Sequence, residues 1–248
     1  ELGVKNASIV LDDADLGRAA NQIAFAAYAS AGQRCTATSR VYATEAVCNG
    51  LVERLATIAR KLKVGHPFDD VFMGPMITDE ARQHLIEAQK RARAAGYEEV
   101  VAGGALELAS HRGWYVKPSL HRAPTATAEV AGYSHDELFG PDIAVYPVSG
   151  LEQAVELANA TRYGLAAAVF TRSAETFEHA ADVLRVSVLH WNQSSAGASG
   201  RLPFGGVDES GNHRPAGIMA GLFCAWPQAV RLTPPADAPL PTWPGFPD

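Results

Sequence analysis

Apolar side chains recur at intervals of three and four along Leu16, Ala20, Ile23 and Ala27, the spacing of one helix face. Asp13 or Asp15 stands where an N-cap is needed, and Gly32 where the helix would stop. Ser39–Ala43 reads as a short β-type run. Val47, Leu51, Leu55, Ile58 and Leu62 then predict a second helix that ends before Gly65-His66-Pro67. The charged stretch Asp79–Ala95 predicts a surface helix, with Thr78 at its N-cap and Gly96 just past its end. In the second half, strand and helix alternate: Ile143–Val148, Leu151–Ala160, Ala166–Phe170, Ala174–Leu184 and Val186–Trp191. Its strands are continuous apolar runs, as expected of parallel strands covered on both faces. The predicted architecture is therefore α/β: a layered, mostly parallel sheet with helices on both faces and right-handed crossovers. No internal repeat is visible. Thr233–Asp248 holds six of the chain's fifteen prolines, so it is expected to be an extended tail or arm.

Composition narrows the function classes. The chain has 248 residues, 47% of them hydrophobic, but 44 are alanine, so the core must draw on fewer large side chains. A formal net charge of −6, from 21 Lys+Arg and 27 Asp+Glu, argues against sequence-independent nucleic-acid binding. The longest stretch without a charged residue, Pro215–Val230, has 16 residues and includes two prolines and two glycines, too short and too broken for a membrane span. No basic segment followed by an apolar one marks a secretory signal. Cys35, Cys48 and Cys224 are odd in number and show no C-x-x-C spacing, so a reducing, cytoplasmic setting is expected. The eight histidines are scattered singly, which gives a metal site little support. The chain opens on Glu1 rather than Met and is read as part of something longer.

Five segments carry the chemistry. They are Glu1-Leu2-Gly3-Val4-Lys5, Ala31-Gly32-Gln33-Arg34-Cys35-Thr36, His135-Asp136-Glu137-Leu138-Phe139-Gly140-Pro141, Leu202-Pro203-Phe204-Gly205-Gly206-Val207 and Ser210-Gly211-Asn212-His213-Arg214-Pro215. In order and separation they resemble the catalytic, C-terminal part of the NAD(P)-dependent aldehyde dehydrogenase superfamily. The residue types suit that chemistry. A thiolate adds to an aldehyde carbon to give a thiohemiacetal, loss of hydride leaves a thioester, and a nearby carboxylate can activate the water that hydrolyses it.

The resemblance implies that Cys35 is the nucleophile and Glu1 the general base. For Cys35, a position after a Gly-Gln turn and between Arg34 and Thr36 also argues against a buried structural thiol. Taken alone, Asp136-Glu137 reads as a helix-start carboxylate pair and Phe139 as a core residue. The resemblance instead makes Glu137 a ligand of the nicotinamide ribose of NAD or NADP, with Phe139 packed against the nicotinamide. Cys48 and Cys224 are expected in the core. Gly197–Gly211 contains five glycines but neither G-x-G-x-x-G nor a G-K-[ST] ending, and the resemblance makes it a loop over the substrate entrance. The Gly-Asn-His-Arg-Pro ending, with Cys224-Ala225-Trp226-Pro227, is similar to the branch containing succinylglutamate-semialdehyde dehydrogenases. There Arg214 fits either a substrate carboxylate or a loop anchor.

The chain also departs from the family pattern. Val4 replaces a glycine and is expected to crowd the nicotinamide if that glycine serves close approach of the backbone. Asp208-Glu209 places two carboxylates where small residues are usual. The family's nucleotide-binding region and its oxyanion-stabilising asparagine have no counterpart here, so weak dehydrogenase activity is expected of this chain alone. The expected division is a catalytic domain over residues 1–226 and an oligomerisation strand with Pro-rich tail over residues 227–248. Pairing of Gln228–Thr233 across subunits would make a homo-oligomer. Two other function classes fit the same residues: a cofactor-independent thiol esterase at Cys35, and a non-catalytic assembly remnant.

Overall fold

A computed structural model of the chain describes residues 1–109, 111–232 and 243–245. Its centre is a seven-stranded sheet built from β1 (Asn6–Val10), β2 (Thr38–Thr44), β3 (Glu98–Val101), β4 (Ser119–Arg122), β5 (Asp142–Val148), β7 (Ala166–Phe170) and β8 (Val188–Trp191). The strand order is β3-β4-β5-β2-β1-β7-β8, and every pairing is parallel except β3 with β4. The mostly parallel sheet matches the expected architecture. The β3–β4 arm went unread because both strands are short and carry charged or polar residues, such as Glu98, Glu99, His121 and Arg122, in place of an apolar run.

Helices α1 (Leu16–Tyr28), α2 (Glu45–Lys61), α3 (Asp79–Ala94), α4 (Leu151–Asn159) and α5 (Ala174–Val183) follow the predicted periodicities. The step from β1 through α1 to β2 runs opposite to the step from β5 through α4 to β7, so right-handed crossovers set α1 and α4 on opposite faces. Accordingly α1 packs on α2, and α4 on α5. Two-residue strands complete the molecule: β6 (Tyr163–Gly164) pairs with β10 (Val207–Asp208), and β9 (Pro203–Phe204) with β11 (Ala216–Gly217). A single turn, α6 (Ala220–Phe223), follows. Among the described residues no helix is long and apolar enough to cross a membrane.

Asp15 caps α1, accepting the Arg18 N–H at 3.0 Å. Asp13 instead accepts from Thr171 Oγ1 and the Arg172 N–H, which ties the start of α1 to the end of β7. The helix stops four residues before Gly32. Ser30 and Ala31 take left-handed backbone angles, φ 56° and 55°, and Gly32 follows at 66°, so the chain reverses before Cys35.

Cys48 is buried on α2 as expected, but Cys224 is exposed. The apolar run around it does not fold back onto the sheet within this chain, and Leu222, Phe223 and Trp226 are exposed with it. Gln228–Leu232 carries no strand within the chain, and Thr233 lies outside the described residues. Most of the expected Pro-rich tail lies outside them too.

The candidate segments enter the sheet side by side. Residues 1–5 lead into β1, 31–37 into β2 and 135–141 into β5, and these three strands are neighbours in the order β5-β2-β1. Arg40 of β2, 3% exposed, locks this edge. Its guanidinium donates to the carbonyls of Lys5 (2.6 Å through Nη2), Leu157 and Ala158 (3.1 Å each), and to Tyr42 Oη. Arg40→Met preserves bulk but leaves the buried carbonyls of Lys5 and Ala158 without that donor. It is expected to lower unfolding stability by about 3 kcal/mol, read from the denaturant midpoint.

Candidate active site

Glu1, Leu2 and Gly3 reach the site along a fixed path. Gly3 has φ 121°, and a Cβ there would lie 2.8 Å from the Tyr163 ring, so glycine is required. Ser210, fully buried, donates its hydroxyl to the Gly3 carbonyl at 2.6 Å, accepts the Gly164 N–H at 3.0 Å, and takes the Leu2 N–H on its own carbonyl. The turn after Gly206 therefore seats the Glu1 segment. Val4 is not left-handed, and its side chain is buried against Leu165 and Ala166. The backbone does not need glycine at this position, and the valine side chain is taken up by that small cluster.

Lys5 is the unexpected member of the segment. Its buried ammonium donates to the carbonyls of Tyr133 and Asp136, each at 2.7 Å, and lies 5.6 Å from the centre of the Tyr133 ring. Burial, reinforced by the Arg40 charge, pulls its pKa down to about 7 against the pull of Asp142, Asp136 and Glu137. Through these two bonds β1 holds the segment that ends in Glu137.

That segment leads into a second buried cluster. Asp142, at the start of β5, accepts from Ser119 Oγ (2.5 Å) and Tyr133 Oη (2.7 Å) and lies 3.1 Å from His121 Nδ1. Burial opposes its ionisation, but the His121 charge and the bonds from His121, Ser119 and Tyr133 win, and its pKa is lowered. Burial likewise opposes the charged form of His121, whose pKa is nevertheless raised by Asp142.

The Cys35 loop meets the Glu137 turn by direct backbone contact. At Gly32, φ 66°, a Cβ would fall 2.3 Å from the Gly140 carbonyl oxygen. Gln33 anchors the loop on its other side, accepting the Ile77 N–H at 2.8 Å and donating to the Pro75 carbonyl at 3.3 Å. Cys35 is partly exposed and packs against the Val4, Leu165 and Ala166 cluster.

Glu137 is half-buried. Burial raises its pKa, the Glu1 charge adds to the rise, and Lys5 opposes it. Phe139 has φ 48° and is 42% exposed, an aromatic held outward by a strained turn rather than a core residue. One cleft is lined by Val4 and Lys5, by Gly32, Arg34 and Ala37, and by Glu137–Gly140. The structure places Glu137 and Phe139 in this cleft; the segments carrying Glu1 and Cys35 enter at the same edge of the sheet, but neither residue lines the cleft. Arg214 does not line it either; it is exposed and lines an open cleft with Met219, Phe223 and Trp226. Sequence reasoning places Lys5 and Ser210 within its segments but gives them no role, and does not single out Asp142. The available signals were a lysine inside an otherwise apolar strand entry and an aspartate opening an apolar run.

Comparisons with known proteins identify the family. The model of the aldehyde dehydrogenase family matches residues 1–228. The chain belongs to the aldehyde dehydrogenase family. Over 252 aligned residues it is 33% identical to the N-succinylglutamate 5-semialdehyde dehydrogenase of Salmonella paratyphi A, covering 99% of this chain and 49% of that protein. An NAD-dependent aldehyde dehydrogenase from Sinorhizobium meliloti superposes with a TM-score of 0.88 at 30% identity, over 98% of this chain and 47% of the other. A 1-pyrroline-5-carboxylate dehydrogenase from Thermus, solved with bound NAD, gives 0.82 at 30% identity over 89% and 42%. An NADP-dependent glyceraldehyde-3-phosphate dehydrogenase from Bacillus halodurans, complexed with NADP, gives 0.79 at 32% identity over 90% and 44%. This aldehyde dehydrogenase chain spans about half the length of the relatives it matches.

Two outcomes follow from the geometry. Gly32→Ala places a methyl group into the Gly140 peptide, and is expected to lower stability by about 3 kcal/mol and to loosen the loop, seen as faster proteolysis near Cys35. Lys5 binds its proton less tightly folded than unfolded, so its contribution to stability rises with pH between about 7 and 10.5. The melting temperature of the parent relative to Lys5→Met is therefore expected to shift in the parent's favour as pH is raised through that window.

Proposed function

We propose that this chain supplies the thiol nucleophile, the general base and the nicotinamide-ribose contacts for oxidation of an aldehyde to a carboxylate with NAD or NADP. The observation that carries the reading is the contact of Gly32 with the Gly140 peptide, which joins the Cys35 loop to the Glu137–Phe139 turn. The residues fit a nicotinamide riboside. The half-buried Glu137 carboxylate offers acceptors for two ribose hydroxyls, and Phe139 presents an exposed ring on the same turn. When bound, the nicotinamide supplies the hydride acceptor.

The chain's own residues account for the remainder. The Cys35 thiolate sulfur forms a bond to the aldehyde carbon while the carbonyl π pair moves onto the oxygen, and that pair restores the C=O bond when hydride departs. After oxidation the acyl group remains on Cys35 as a thioester. Glu1 takes a proton from water, the resulting hydroxide adds to the acyl carbon, and the carbon–sulfur bond breaks to return the thiolate. The Glu1 charge contributes to the raised pKa of Glu137, which supports placing the base near the ribose ligand.

For the substrate we propose N-succinylglutamate 5-semialdehyde, supported by the Salmonella relative. Arg214 would then meet a substrate carboxylate from its exposed cleft. Assembly through residues 227–248 to a homo-oligomer, with residues 1–226 as the catalytic unit, completes the proposal.

The test separates the two half-reactions. With an activated ester and no cofactor, the 248-residue chain is expected to show an acylation burst, and Cys35→Ser to abolish it. Glu1→Gln is expected to keep the burst while slowing steady-state turnover by about 10². A burst that survives Cys35→Ser would falsify the assignment of the nucleophile.

A further inference from the structure

The backbone after the nucleophile does not run in a regular ladder with β1. The β1–β2 register shifts between Asn6 and Ala7, where Asn6 pairs with Thr38 but Ala7 with Arg40, so one extra residue is accommodated at the strand entry. Side chains replace the ladder bonds lost there. Asn6, 3% exposed, donates its amide nitrogen to the Cys35 carbonyl at 2.8 Å and to the Ala37 carbonyl at 2.9 Å. Its amide oxygen accepts the Ala166 N–H of β7 at 3.0 Å. Two carbonyls on one side and an N–H on the other permit a single orientation of the carboxamide, because the flipped form would set oxygen against oxygen.

The carbonyl between these two is also held. Ser195, fully buried, donates to the Thr36 carbonyl at 2.8 Å, and its oxygen lies 2.8 Å from Thr38 Oγ1, which in turn lies 2.9 Å from Ser8 Oγ. Three successive carbonyls, those of Cys35, Thr36 and Ala37, therefore each end on a buried side-chain donor. A strand bridge made only by backbone groups cannot do this, since consecutive carbonyls in a strand point to opposite sides.

We infer that Asn6 is the positioning residue of the nucleophile, and that with Ser195 it fixes the peptide planes around Cys35 against β1 and β7. Asn6 does not contact the reacting atoms. It acts by holding the Cys35 main chain, so that the thiol stays partly covered by the Val4, Leu165 and Ala166 cluster and aimed along one direction. A displacement of about 1 Å at a reacting atom is enough to lose two orders of magnitude in rate. The inference rests on Cys35 being the nucleophile for its catalytic consequence only. The clamp itself is a property of the loop.

The test uses the 248-residue chain and reads Cys35 in two independent ways. Asn6→Leu keeps the volume of the side chain and removes all three hydrogen bonds. Iodoacetamide alkylation, followed on the Cys35 peptide by mass spectrometry and so separated from exposed Cys224, is expected to rise at least about threefold as the loop loosens and uncovers the thiol. Acylation of Cys35 by an activated ester is expected to fall about tenfold or more. Ser195→Ala, a milder change, is expected to move both rates in the same directions by less. Leu51→Ala, a truncation of a buried α2 side chain chosen to match the loss in melting temperature, is expected to move neither.

A folded Asn6→Leu chain with both rates within twofold of the parent overturns the inference, as does a Ser195→Ala chain whose rates move in the opposite directions or a Leu51→Ala chain that reproduces the divergent pair of changes. If the parent alkylates at Cys35 but shows no acylation, the assignment of the nucleophile fails, and alkylation alone still decides whether Asn6 clamps the loop.

Discussion

A buried ammonium sets the terms for this edge of the molecule. Lys5 sits between β2 and the segment that precedes β5, and removing its charge from water carries a cost that only well-placed acceptors offset. The carbonyls of Tyr133 and Asp136 offset only part of that cost, the remainder showing as the Lys5 pKa lowered to about 7, and to do so the irregular chain before Glu137 must lie against β1. The Lys5 carbonyl is in turn held by Arg40, so two cations converge on one peptide, with Asp142, Asp136 and Glu137 as the surrounding negative charges. A neutral residue at position 5 would leave the 133–137 segment without its tie to the central strand.

The charge balance behind the site is therefore distributed. Asp142 contributes stability above the ordinary aspartate range and loses it as pH falls through its lowered pKa. His121 contributes below its ordinary pKa and loses that as pH rises through its raised one. The pair is strongest between those limits, where both are charged. His121 Nε2 and Gln89 Oε1 are buried without a hydrogen-bond partner among the described residues, so the cluster is not fully satisfied. Its position under Gly140 and Pro141 makes it the floor of the turn that displays Glu137 and Phe139 rather than a second reactive centre, since Ser119, His121 and Asp142 are all closed to solvent.

Periodicity made the helices and the parallel strands legible, because burial on both faces leaves an uninterrupted apolar run that few other structures share. The same logic hid β3 and β4, which lie at one end of the sheet and carry polar residues. It also misplaced Cys224, because an apolar run implies a core only when the chain folds back over it. At the site, the motif segments were readable as words, but their connections were not. Nothing in Asn6 announces that one carboxamide spans both neighbouring strands, and nothing in Ser210 announces that it seats the residues around Gly3. Val4 is expected to crowd a nicotinamide; its backbone is not left-handed and its side chain packs in the small cluster with Cys35, yet it also lines the cleft. Such relations depend on register and strand order, which a single chain's pattern does not encode locally.

The position of the site on the sheet carries a further consequence. In open parallel sheets, ligands commonly bind beyond the carboxyl ends of the strands, where helix N-termini offer free N–H groups and a positive dipole end to phosphates. Here the gathered residues lie at the opposite edge, ahead of the first residues of β1, β2 and β5. Helix α1 delivers the Cys35 loop with its C-terminal end, the negative pole of its dipole. Among the described residues this edge offers a thiol, carboxylates, carbonyls, an exposed aromatic ring and the side chains of Lys5 and Arg34, but no helix N-terminus. A dinucleotide using this site would place its nicotinamide half here and leave its phosphates to donors other than the helix termini of this edge, so the chemistry and the anchoring of such a cofactor would be separable functions of the fold.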